Sequence, residues 1–155
     1  MTLTQQSAKH FRDIHFGGNW TTVNLKDTLA DVTWQQATTK IDSLNTIATL
    51  VYHVNYYVYA VLKVLKGGAL EAHDKFSFDV PQITSDTEWQ NLVNKALNQA
   101  AEFADEIEKL DDTIFFQDFT DSKYGNYFRN LHGIIEHTHY HLGQIAIIKK
   151  LVAGS

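Results

Sequence analysis

Cysteine is absent from this chain of 155 residues. Without a thiol the protein can form no disulfide, no cysteine nucleophile and no cysteine-ligated zinc site. Any bound metal ion must therefore be held through nitrogen and oxygen atoms. Proline is nearly absent as well, with Pro81 the single example, so the composition allows long uninterrupted helices.

Basic charge and long hydrophobic runs are also scarce. The 13 lysines and arginines are outnumbered by 18 aspartates and glutamates, and the net charge is -5. The basic residues are scattered, which argues against a nucleic-acid-binding protein. No apolar run reaches the roughly 18 residues that a membrane span needs, and the N-terminal segment lacks the basic and apolar regions of a signal peptide. We expect a cytoplasmic protein that binds neither nucleic acid nor membrane.

The apolar content of 44% and the charged content of 20% are those of an ordinary globular protein. A chain of this length can bury a core without disulfides. Because the sequence contains no internal repeat and no linker, we expect a single domain that covers residues 1–155.

Hydrophobic periodicity predicts four long helices, at about residues 4–16, 42–66, 85–110 and 122–154. Ser85, with Glu88 three residues later, has the spacing of a capping box at the start of the third helix. Asp121 or Ser122 is expected to cap the fourth.

The remaining segments are expected to be connections, with short helical turns between residues 19 and 40. A run rich in valine and tyrosine, residues 50–59, could form a strand by propensity, but the helical period on both sides favours a helix. Together these elements predict an all-α protein, an antiparallel four-helix bundle with partly irregular connections.

Three of the eight histidines lie within five residues of the last predicted helix. At about 100° per residue, His137 and His141 share one face, whereas His139 points nearly the opposite way. Such an i, i+4 pair can bind one metal ion, as in zinc proteases, but Thr138 stands where a protease carries its glutamate. In a strand all three histidines would share a face, an alternative that the helical period disfavours.

A third ligand would complete a site that still leaves one position open for water or substrate. His53, within the second long helix, is the candidate because helix packing can bring it opposite the pair. Taken alone, a histidine on an apolar helix is more often a core residue than a ligand. We predict that His53, His137 and His141 bind one divalent metal ion, and we assign no catalytic residue.

Other polar residues are expected to have lesser roles. Gln144, one turn after His141, either contacts a ligand or serves in helix packing. Glu136 is expected in solvent or beside the site, and His10, His15 and His73 on the surface or in loops.

These residues carry a resemblance to the DinB/YfiT-like metalloenzyme family. The likeness depends on His53 within an apolar helix and on a His-x-x-x-His-x-Gly-Gln-Ile motif that begins at His137, and it extends across most of the chain. The resemblance implies a four-helix bundle, a three-histidine site for zinc, nickel or a similar ion, and a homodimer. By position, the family's ligands correspond to His53, His137 and His141.

The family's characterised members include transferases and isomerases that use low-molecular-weight thiols such as bacillithiol or mycothiol. The resemblance therefore implies a metal-dependent enzyme, a thiol-dependent transferase or a hydrolase, that acts on a small-molecule substrate. The alternative is a non-enzymatic stress-response or binding protein in which the metal is structural. An open coordination position would distinguish the enzyme from this alternative. DNA binding, a third hypothesis, is opposed by the acidic charge.

Overall fold

The computed structural model describes residues 1–154, and within that range the regular structure is helical and contains no strand. The prediction of an all-α protein is confirmed. The described part of the chain contains six α-helices, in chain order α1 (Leu3–Phe16), α2 (Leu25–Leu29), α3 (Trp34–Thr38), α4 (Ile47–Leu65), α5 (Asp86–Glu108) and α6 (Tyr127–Ala153). Short 3-10 turns occupy parts of the connections, at residues 74–76, 112–116 and 122–124.

The predicted ranges of the first and third long helices agree with α1 and α5 to within two residues. The Thr2 side chain accepts a hydrogen bond from the Gln5 backbone, and the Gln5 side chain accepts one in return from the Thr2 backbone, which is a complete capping box. Ser85 caps α5 by accepting from the Glu88 backbone. The Glu88 carboxylate accepts instead from the backbone of Thr84, so the box predicted there is only half formed.

Helix α4 begins later than predicted, at Ile47 and not near Asp42. The side chain of Thr46 accepts a hydrogen bond from the backbone N–H of Thr49, and this cap sets the first turn. Asp42 itself has a positive φ of 45°, a conformation outside the right-handed helix.

Helix α6 also begins later than predicted, at Tyr127, and its cap is Asn126. The expectation that Asp121 or Ser122 caps this helix is wrong. Asp121 caps only a three-residue 3-10 turn that starts at Ser122, and this turn ends at Gly125 with φ 77°. The chain therefore makes one additional turn before the last helix starts.

The long helices share one hydrophobic core. Helix α4 packs against α5 and α6, and α1 packs against the same two helices. The bulkiest fully buried side chains of this core are Trp89, Phe11, Phe103 and Phe119. The Trp89 indole donates a hydrogen bond of 2.8 Å to the Val32 carbonyl oxygen, which joins α5 to the segment between α2 and α3. Among the helices of residues 1–154, none combines the length and the apolar character needed to cross a membrane.

The expectation that His15 lies on the surface or in a loop is wrong. Its side chain is in the core, with a relative exposure of 1%, and its ring centroid lies 4.3 Å from that of Phe11. Burial is the main cause that lowers the pKa of His15 to about 4, while the hydrogen bond to the Phe11 carbonyl opposes the shift. His15 is therefore a neutral core residue at neutral pH. His10 and His73 are exposed, as expected.

Candidate metal centre

Helices α4 and α6 bring the three predicted histidines together. His53 lies on α4, and His137 and His141 lie one turn apart on α6. Their ring centroids form a nearly equilateral triangle, with sides of 4.8, 4.7 and 4.6 Å. The available ligand nitrogens all lie within 4.8 Å of one another. The three histidines are thus close enough to bind one metal ion.

Hydrogen bonds to oxygen set the tautomers of two of these rings. His53 Nδ1 donates to the carbonyl oxygen of Ser77 at 3.2 Å, and His141 Nδ1 donates to Oε1 of Gln144 at 2.7 Å. A neutral imidazole with its proton on Nδ1 has its lone pair on Nε2. Metal-binding histidines usually donate the N–H of the ring nitrogen that does not bind the metal to an oxygen acceptor of this kind. Both rings therefore hold the tautomer that binding through Nε2 requires.

The third ring, His137, is held differently. Its Nδ1 is buried and has no hydrogen-bond partner within residues 1–154, while its Nε2 lies 3.0 Å from Nε2 of His53. Two facing ring nitrogens can share either a proton or a metal ion. A tetrahedral zinc ion with Zn–N bonds of about 2.0–2.1 Å separates its ligand nitrogens by about 3.3 Å. The observed pair is close to that value. Because all three ligand nitrogens lie within 4.8 Å of one another, the largest separation needs to shorten by at most about 1.5 Å to fit an ion.

The electrostatic environment keeps the rings of His53 and His137 neutral. Burial is the largest cause that lowers the pKa of His137 to about 4, followed by the charges of His141 and His53. Burial, and after it the charge of His141, also lowers the pKa of His53. Imidazole binds metal only in its neutral form. At neutral pH, His53 and His137 therefore need to lose no proton before a metal ion binds.

Aromatic side chains surround the trio. Phe78 stacks on His53, with 3.9 Å between ring centroids and 10° between ring planes. The Tyr57 ring meets His53 and His137 edge-on, at 5.3 and 5.0 Å, and its hydroxyl donates to Asp74. Apolar ring surface thus excludes solvent from one side of the site.

The sequence does not predict the roles of Ser77, Phe78 and Asp74, which belong to the connection between α4 and α5. Ser77 is fully buried and contributes through its backbone carbonyl, so its residue type carries no signal of this role. In the sequence, Phe76 and Phe78 are the residues of this segment that indicate packing against another part of the protein.

The remaining residues singled out in the sequence lie off the trio. His139 Nε2 is 3.1 Å from the Thr21 hydroxyl, so this histidine points away from the site, as predicted. Thr138 is fully buried, and its hydroxyl donates to the Ile134 carbonyl oxygen, which leaves no general base at the position of the protease glutamate. Glu136 is exposed.

A cavity of about 820 Å³ adjoins the trio, with His53 and His137 in its wall. No aspartate, glutamate or further histidine of residues 1–154 joins the three as a potential ligand. An ion bound there would have three protein nitrogens and a free side toward the cavity.

No family model, curated protein or solved structure matches this chain. The chemistry open to the site therefore has to be inferred from its donors and its surroundings. Within residues 1–154 these are three imidazole nitrogens with no carboxylate beside them, two rings oriented by hydrogen bonds, and an adjoining cavity large enough for a small molecule.

Proposed function

We propose that this protein is a metal-dependent enzyme that acts on a small molecule, with His53, His137 and His141 as ligands of one divalent ion. The position of His53 and His137, two of the three histidines, in the wall of the cavity carries this proposal. Structural zinc sites are usually closed by four protein ligands, whereas catalytic sites have three and keep one position open. The absence of a fourth ligand among residues 1–154 supports the catalytic type.

The donor set favours zinc or nickel as the ion. Imidazole nitrogen suits zinc, nickel and other late transition metals, whereas magnesium and calcium require oxygen ligands. Because the ligand group contains no carboxylate, hard cations find no suitable donor there.

The proposed chemistry is a thiol-dependent transfer, with metal-assisted hydrolysis as the second candidate. When bound, the ion would lower the pKa of a coordinated thiol or water and so supply a nucleophile at neutral pH. The residues of the chain would hold the ligand rings in place through Ser77 and Gln144, and Phe78 would keep solvent away. An external low-molecular-weight thiol fits a chain that has no cysteine of its own.

Membership of the DinB/YfiT-like family, with an antiparallel four-helix bundle formed by α1, α4, α5 and α6, is part of the same proposal. Its support is the motif that begins at His137, together with the packing of α4 and α1 against both α5 and α6. The competing hypothesis is a binding or stress-response protein with a structural metal. Against it, the helices already share a large apolar core that needs no ion to join them.

Metal binding is tested first, by metal analysis of protein purified without added metal and by equilibrium dialysis against zinc or nickel. Single substitutions of His53, His137 or His141 by alanine should each greatly reduce metal retention. His139→Ala is the matched control, since it removes a histidine from the same helix but from outside the trio. Loss of metal in His139→Ala with retention in His53→Ala would refute the assigned ligands.

Catalytic and structural metal are then separated by cobalt substitution. The cobalt-loaded protein is titrated with a small thiol while its visible spectrum is recorded. A thiolate charge-transfer band would show that the open position accepts sulfur. If neither a thiol nor any other anion changes the spectrum, the structural-metal hypothesis is supported instead.

We also propose that the chain forms a homodimer through the exposed face of α6. Three apolar side chains on this face, Tyr140, Ile147 and Leu151, have relative exposures of 66%, 61% and 46%. Their spacing places them on one stripe of the helix. Light scattering should give twice the chain mass, and Ile147→Glu should reduce it. A mass that stays monomeric at all concentrations would refute the dimer.

A further inference from the structure

Gly133 lies in the interior of α6, where glycine destabilises a helix relative to alanine. Backbone conformation does not require it, because Gly133 is not among the glycines with positive φ. Packing does not require it either: apart from its two chain neighbours and the nearby backbone of α6, a Cβ atom built there would meet no heavy atom of residues 1–154 within 4 Å. The open space is the cavity itself, because Gly133 is part of its wall.

Gly133 lies midway between the metal centre and a positive charge. Arg129, Gly133 and His137 follow one another at four-residue steps on one face of α6, and all three line the cavity. With a rise of about 1.5 Å per residue, Arg129 lies about 12 Å along the helix from His137. A molecule that extends from the trio to Arg129 must pass over Gly133, where a side chain would obstruct it.

The charge of Arg129 is uncompensated within the described part of the chain. The other arginine, Arg12, forms ion pairs with Asp105 and Glu108. Arg129 forms no ion pair within residues 1–154, and its guanidinium donates a single hydrogen bond there, of 3.0 Å to the Tyr124 carbonyl oxygen. A guanidinium has five N–H donors and binds carboxylates and phosphates through two of them at once. Most of its donor capacity is thus available to a ligand.

The charges around the cavity favour an anionic ligand once a metal ion is bound. Lys75 is a second cation in the wall, and Asp74 and Glu136 are the carboxylates. Asp74 already accepts a hydrogen bond from the Tyr57 hydroxyl. Three neutral imidazoles would leave the charge of a divalent ion uncompensated. With a divalent ion bound, the net charge of the cavity wall and the ion together is therefore positive.

We propose that the cavity binds an elongated small molecule with an anionic group, a carboxylate or a phosphate, held by Arg129, and a metal-binding group at the trio. Gly133 is the specificity-determining position that leaves room for its middle part. This inference rests on the proposed metal-dependent function. Apolar side chains in the wall would contact the middle of the molecule: Ala60, Val61, Leu70, Phe119 and Ile134.

The test measures, by titration calorimetry, the affinity of zinc-loaded protein for three hydroxamates. Acetohydroxamate needs only an open metal position. Octanohydroxamate adds an apolar chain, and suberic acid monohydroxamate has the same chain length with a terminal carboxylate. The wild type should bind the carboxylated compound at least tenfold more tightly than octanohydroxamate. Arg129→Met should abolish this preference while leaving the affinity for octanohydroxamate unchanged.

Gly133→Leu is compared with Gly143→Leu, because both glycines lie within α6. Apart from chain neighbours and the nearby backbone of α6, a Cβ atom at either position would meet no heavy atom of residues 1–154 within 4 Å. Gly143 is exposed and outside the cavity, so it is a matched control. Leucine is a good helix former, so both variants should resist urea better than the wild type. Only Gly133→Leu should weaken binding of the two long hydroxamates, by at least tenfold, with zinc content and acetohydroxamate binding unchanged.

The outcomes separate this inference from the proposed function. Equal affinity for the two long hydroxamates in the wild type would overturn the anion site at Arg129. Equal binding by Gly133→Leu and Gly143→Leu would overturn the role of Gly133. In both cases zinc and acetohydroxamate binding would leave the proposed function standing. Failure of the wild type to bind zinc or acetohydroxamate would overturn the proposed function and this inference together.

Discussion

Removal of the His15 side chain should make the stability of the protein less sensitive to acid. His15 is buried in the core with its pKa lowered to about 4, against about 6.5 in an unfolded chain. Between these pH values the unfolded chain binds a proton that the folded protein excludes, so stability falls as pH decreases from 6.5 to 4. A shift of about 2.5 pH units corresponds to a loss of about 3 kcal/mol across this window, at about 1.4 kcal/mol per pH unit.

His15→Leu removes this titration with a side chain of similar bulk. Urea unfolding followed by tryptophan fluorescence, at several pH values from 4.5 to 7.5 and with a chelator present, gives the free energy of unfolding. The slope of this free energy against pH should decrease in His15→Leu by up to about 1.4 kcal/mol per pH unit. His10→Leu, an exposed position on the same helix, should leave the slope unchanged. If His15→Leu keeps the wild-type slope, the buried neutral histidine is not a source of the acid sensitivity.

Two further substitutions test the outer contacts of the site and a helix cap. Gln144→Leu removes the acceptor that orients His141 and should weaken zinc binding about 10- to 100-fold, as measured by competition with a chromophoric chelator. Gln144→Glu should restore most of this affinity, and an unchanged affinity in Gln144→Leu would contradict the orienting role. Thr46→Ala removes the cap of α4 and should lower the free energy of unfolding in urea by about 1 kcal/mol. The control Thr39→Ala, outside α4, should change this free energy by less.

Long periodic segments made the helices predictable, whereas the caps were harder to choose. Before α6 the sequence offers Asp121, Ser122 and Asn126, all of which are suitable N-caps. The choice of cap depends on contacts inside the connection before α6. Asp118 and Asn126 form an isolated antiparallel bridge, and the Phe119 backbone N–H donates a hydrogen bond of 2.8 Å to the Gly125 carbonyl oxygen. Such pairing inside a connection leaves no periodic signal in the sequence.

The trio could be predicted because a helix places residues four apart on one face, which groups His137 with His141. His53 depended on the packing of α4 against α6, which periodicity alone does not specify. The hydrogen bond from His53 to the Ser77 carbonyl could not be predicted, because every residue type has a backbone carbonyl. His15, in contrast, did carry a signal, since it belongs to the three- and four-residue stripe of buried side chains that runs along α1: Thr4, Ser7, Ala8, Phe11, Ile14 and His15.

The proposed ligand has a preferred length because α6 carries both Arg129 and two of the three proposed metal ligands, His137 and His141. The distance from His137 to Arg129 is determined by the rise of α6, about 12 Å over eight residues, and does not depend on the connections. In a series of hydroxamates with terminal carboxylates, affinity for the zinc-loaded protein should therefore pass through a maximum near the length that spans this distance. A chain too short to reach Arg129 loses the charged hydrogen bonds, and a longer one must fold back. A steady increase of affinity with each methylene would instead show that apolar burial alone drives binding, and would count against Arg129 as an anchor.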